Sequence, residues 1–169
     1  MAQEAWLRGP VRGVDPMLMP AAHALVQVRE DVTAAAEGLN RAQLWARPGT
    51  AASVGFHLRH IAGSLDRLLT YARGEALSDA QRRAAGAEQN PGDDEDPTAL
   101  LAALSSAIDA ALAQLRATDP GTLFHPRPVG RAGLPSTVIG LLFHAAEHAQ
   151  RHTGQVIATA KVVRALTAD

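Results

Sequence analysis

The stretch Leu141-Leu142-Phe143-His144-Ala145-Ala146-Glu147-His148-Ala149-Gln150-Arg151-His152-Thr153-Gly154-Gln155-Val156 spaces three histidines four residues apart. At about 100° per residue on a helix, His144, His148, His152 and Gln155 fall within an arc of roughly 80°. Beside that arc lies an apolar sector made by Leu142, Val156, Ala160 and Val163. The stretch therefore reads as part of one long helix that turns some of its imidazoles toward an interior. This helix, D, runs from about Ser136 to about Ala165.

Working outward, the same period recurs three times upstream. After a lead punctuated by Gly and Pro, helix A spans about Met17 to Glu37, with Leu18, Leu25, Val28 and Val32 on one face and Gly38 as its stop signal. Residues Asn40 to Thr50, with Pro48 and Gly49, read as a connection. Helix B follows from about Ala51 to Arg73, with a stripe of Leu58, Ile61, Leu65, Leu68 and Ala72 and Gly74 suited to its C-terminal end. From Glu75 to Asp96 the pattern lapses into a crossover that has room for a short helix around Asp79 to Ala85 and ends in the acidic run Asp93 to Asp96. Asp96 and Pro97 are a helix-start pair, and helix C continues through Leu101, Leu104, Ile108, Leu112 and Leu115 to about Thr118. A Pro- and Gly-rich stretch to Pro135 reads as the second long connection.

Four amphipathic helices satisfy one another's apolar faces by enclosing a common core. The expectation is an all-α fold, a four-helix bundle with a long crossover between helices B and C, occupying residues 1–169 as one domain. Composition agrees: 47% of residues are hydrophobic but only 4% aromatic, mostly Ala and Leu, which favours helix over sheet.

Sixteen basic and seventeen acidic residues leave a formal charge of −1, so no global field draws the chain to nucleic acid or an anionic membrane. The N-terminal residues lack the charged start and apolar run of a secretory signal, and no later stretch reads as a membrane span. A cytoplasmic, soluble protein is expected. There is no cysteine, which excludes a disulfide framework and a cysteine nucleophile and restricts any metal site to His, Asp or Glu.

Histidines occur at 23, 57, 60, 125, 144, 148 and 152, and five of the seven fall in two helical segments. Two imidazoles at i and i+4 can place ring nitrogens on one cation, and a third ligand must then come from a facing helix, where helix B offers His57 and His60. His57 lies nearer the centre of helix B's apolar stripe than His60, but residues three apart are not separated by helical-wheel angle. His23 and His125 stand apart from the cluster. Glu147 and Arg151 read as paired or solvated surface charges, with Glu147 also placed to orient a ligand histidine. The acidic run at Asp93 to Asp96 lacks the spacing of a calcium loop.

Two segments carry a resemblance: Gly55-Phe56-His57-Leu58-Arg59-His60-Ile61-Ala62 on helix B and His148-Ala149-Gln150-Arg151-His152-Thr153-Gly154-Gln155 on helix D. They resemble the DinB/YfiT-like superfamily of metal-binding four-helix bundles. Its His-x-x-x-His-x-Gly-Gln pattern is the more specific element. Residue by residue, the resemblance places the family's metal ligands on His60, His148 and His152, with His57 as the runner-up and His144 outside the ligand set.

It further implies a nickel, zinc or similar divalent ion, positions left open on that ion, a low-molecular-weight thiol as co-reactant in some relatives, and frequent homodimers. The function so implied is a metal-dependent transferase or hydrolase acting on a small molecule. The alternative is a non-catalytic metal-binding or stress-response module whose three-histidine site is structural. No catalytic base and no residues binding a thiol are identified.

Overall fold

Side chains that take up free backbone N–H groups mark the starts of two long helices and of the short turn that leads into a third. In the computed structural model, which describes residues 3–90 and 96–166, Asp15 accepts from Met17 N at 2.8 Å and starts a short 3-10 turn, Pro16–Leu18, that leads into α1, Met19–Ala36. Gly38, at φ 73°, ends that helix in a conformation other residues rarely adopt. Ser53 Oγ accepts from Phe56 N at 3.1 Å to start α3, Val54–Ala72. The Asp96 carboxylate accepts from Ala99 N at 2.8 Å to start α5, Pro97–Ala117. The last helix, α6, covers Val138–Leu166.

These four helices match the expected A to D within a few residues, and the protein is predominantly helical. The connections hold more structure than the sequence suggests. Between α1 and α3, Asn40 and Gln43 form a reciprocal capping box on a five-residue helix, α2, Arg41–Trp45. Ser78 and Gln81 do the same for α4, Asp79–Ala87, in the segment between α3 and α5. Residues 91–95, within the acidic run expected to be a linker, lie outside the described residues.

The second long connection contains an antiparallel hairpin, β1 (Pro126–Val129) with β2 (Leu134–Thr137), paired from Pro126 with Thr137 to Val129 with Leu134. It adds a small sheet to a fold expected to be all helix, and it delays the start of α6 from Ser136 to Val138.

α1 packs on α6 and α5, and α3 packs on the same two, so the four long helices share one core. Leu25, Val28 and Val32 of α1, Leu58, Ile61 and Leu65 of α3, Leu104, Ile108 and Leu115 of α5, and Leu142 and Val156 of α6 meet there, all buried. Each large aliphatic side chain so buried contributes about 1.5–3 kcal/mol relative to exposure.

One expectation is corrected. α5 is long and apolar enough to cross a membrane, with mean hydropathy 1.5 over its best window, although no stretch was expected to be. Its many alanines raise the average, while Leu100, Leu104, Ile108, Leu112 and Leu115 are buried in the core shared with α1 and α3.

Candidate metal centre

α3 and α6 lie side by side, and each presents two histidines to the seam between them. On α3 these are His57 and His60; on α6 they are His148 and His152. One ring nitrogen each from His60, His148 and His152 lies within 4.8 Å of the others. His60 Nε2 is 2.9 Å from His148 Nε2, and the His152 ring centroid is 4.4 Å from that of His60 and 4.6 Å from that of His148. The structure thus brings together the three histidines matched to the family's ligands.

His57 is also at the seam, 6% exposed, with its Nδ1 2.9 Å from Nδ1 of His152. One of these nitrogens donates and the other accepts, so the contact engages His152 through Nδ1 and leaves its Nε2 for other partners. Phe56 packs on both α3 histidines, stacked on His60 at 5.3 Å and edge-on to His57 at 5.2 Å.

His144 sits at the exposed rim, with its ring 5.5 Å from that of His148 and its Nδ1 3.3 Å from Glu147. Glu147 is clasped by Arg151 at 2.6 Å, which makes the surface pair expected of those two residues. His23 bonds the Gly9 carbonyl at 2.9 Å, and His125 lies in the exposed turn before the hairpin, so neither joins the cluster.

Sequence reading missed the carboxylate that does reach the cluster. Glu88, the residue closing α4, is 8% exposed and places Oε2 2.6 Å from His60 Nδ1. Its other oxygen accepts from Arg67 Nη1 at 2.6 Å. The signal that sequence offered was weak: Gly63, inside helix B one turn after His60, where glycine weakens a helix by about 1 kcal/mol.

The electrostatics favour neutral imidazoles. Burial, then repulsion from His152 and His60, pushes His57 down to about 4. His148 is likewise pushed down to about 4 by burial and by its histidine neighbours. His152 is lowered by burial, then by His60 and Arg151. Burial raises Glu88, but hydrogen bonds from His60 and Arg67 outweigh it and keep the carboxyl below its usual range.

An ionised carboxylate only accepts, so His60 Nδ1 carries the hydrogen and a neutral ring leaves its lone pair on Nε2, the nitrogen that faces His148. Convergent nitrogen-only donors, with the Nε2 lone pair of His60 turned to the seam, suit a divalent ion such as zinc or nickel.

No curated protein matches the chain. A family model of the DinB superfamily matches residues 24–156, from the second turn of α1 to one turn beyond the last of the clustered histidines. Most of the chain, including both histidine-bearing helices, lies within that match, and the chain belongs to the DinB superfamily.

Proposed function

We propose that His60, His148 and His152 hold one divalent metal ion, nickel or zinc, and that the protein is a metal-dependent enzyme acting on a small molecule. The observation that carries this reading is the approach of three ring nitrogens from two different helices to within 4.8 Å of one another. Such an ion supplies Lewis acidity and lowers the pKa of a thiol or water that coordinates it. A low-molecular-weight thiol as co-reactant makes the reaction a transfer, and water makes it a hydrolysis.

The chain's own residues prepare the site. Burial lowers His148 and His152 and so favours their neutral forms, Phe56 screens the α3 histidines with an apolar ring, and the bond between His57 and His152 holds the latter's orientation. Among the described residues the converging group is His60, His148 and His152 without His57, and three protein ligands leave a divalent ion open to a further partner. The competing reading, a non-catalytic stress-response or metal-binding module, is favoured if a fourth protein ligand, His57 or His144, closes the site.

The framework in this reading is a single-domain four-helix bundle with α4 carried in the crossover between its second and third members. The protein is cytoplasmic and pairs into a homodimer, which sedimentation analysis would test.

Metal analysis after reconstitution with zinc or nickel decides the site. His60→Ala, His148→Ala and His152→Ala should each lose most bound metal, while His23→Ala retains it. Equal metal content in all four variants would remove the assignment. A thiol-transfer and hydrolysis screen of the loaded wild-type protein then separates enzyme from structural module.

A further inference from the structure

Glu88 lies 28 positions beyond His60 in the chain, in a crossover whose polarity marks it as solvent-facing, yet its side chain is buried against the histidine cluster. Several features of α3 hold it there. Arg67 Nη1 donates to Oε1 at 2.6 Å and balances the buried negative charge. Arg59 Nη1 donates to the Ala87 carbonyl at 3.0 Å and also to that of Asn90, which fixes the backbone on both sides of Glu88. Gly63 leaves the space that the carboxylate occupies. A Cβ at that position would stand 2.6 Å from Glu88 Oε1 and 2.8 Å from Arg67 Nη1, closer than such atoms approach.

We infer that Glu88 is the positioning residue of the metal site: it fixes the His60 ring with Nδ1 protonated and Nε2 presented to His148 and His152, and Gly63 leaves room for its carboxylate. This rests on the metal-site reading above for its consequence, though not for its geometry. An imidazole with no partner can rotate about its side-chain bonds and can carry its hydrogen on either nitrogen. A ligand needs one orientation and one tautomer, and an ionised acceptor 2.6 Å from Nδ1 imposes both. α4 thereby becomes part of the site, since the carboxylate is available only when the end of α4 is seated on α3.

Two variants test this without deleting a ligand. Glu88→Gln keeps the shape and removes the charge. Gly63→Ala changes no polar group, but its Cβ must displace the tips of the Glu88 and Arg67 side chains, so the gain in helix propensity is set against a disturbed ion pair. Ring nitrogen NMR of the metal-free protein should show His60 with hydrogen on Nδ1 in the wild type and a shift toward the Nε2–H form in both variants. Zinc affinity by chelator competition should fall about 10- to 100-fold in both.

A Glu88→Gln protein that keeps the wild-type tautomer and affinity would overturn the role of Glu88 while leaving the three-histidine site standing, and a Gly63→Ala protein that keeps them would overturn the role given to the glycine. Loss of the tautomer preference in a protein whose wild type binds no zinc would refute the metal reading and leave the positioning intact. Should Gly63→Ala not fold, Glu88→Gln decides alone: the wild-type tautomer and affinity retained there would overturn the proposal.

Discussion

Acidifying the metal-free protein from about pH 7 to about pH 5 should remove about 2 kcal/mol of folding stability through His57 alone. The folded protein holds this ring at about 4, against 6.5 for an unperturbed histidine. Between those values the unfolded chain binds a proton that the folded chain refuses, so stability rises with pH across the window and levels off above it. Integrated over the whole window, the shift corresponds to about 3 kcal/mol, of which about 2 is lost by pH 5. His148, also held at about 4, and His152, lowered as well, act in the same direction, but their partly exposed rings are screened and add less. Glu88 has the opposite chemistry: its lowered carboxyl contributes stability that disappears only below its ordinary pKa of 4.5, outside the window. The assay is urea unfolding at the two pH values, on protein stripped of metal by chelation, for wild type and His57→Leu. Because each protein is compared with itself, any loss of packing in the variant cancels, and the difference between the two pH values should shrink by about 2 kcal/mol. An unchanged difference in His57→Leu, or a wild type equally stable at both pH values, would refute the argument that burial keeps this ring neutral.

Two further substitutions test the frame that carries the site. Gly55→Ala would bring a Cβ within 2.9 Å of three atoms of the Trp45 ring, which also lies under Arg59 at 5.2 Å. Thermal denaturation should show a loss of about 1–3 kcal/mol from overpacking, against the gain of about 1 that alanine brings to an exposed helix position. Ile108→Ala empties a fully buried position on α5 and should destabilise by about 2–5 kcal/mol in urea. A loss under about 0.5 kcal/mol would mean that α5 does not pack into the core, as a membrane-crossing helix would not.

What sequence could and could not show follows from how far apart the interacting residues lie. The long helices were legible because each carries its own period and its own start or stop signal: Gly38 after α1, Asp96 and Pro97 before α5. α2 was hidden because five residues are too few to display a period, and its capping box is its only mark. The hairpin was hidden because Pro126, Pro128 and Pro135 argue against strands, although a two-stranded ribbon has only edges, where a missing N–H is tolerated.

The site divides along the same line. His148 and His152 share a helix face, which spacing alone establishes. The choice between His57 and His60 depends on a partner, and that partner is on another helix. His57 turns Nδ1 to His152, whereas His60 turns Nδ1 to Glu88 and so directs Nε2 at His148. No periodicity within α3 encodes that difference, because both rings face the seam. It becomes readable only in three dimensions, where the gap at Gly63 admits the buried Glu88 carboxylate to His60, whereas Gly154, two residues after His152, opens on nothing.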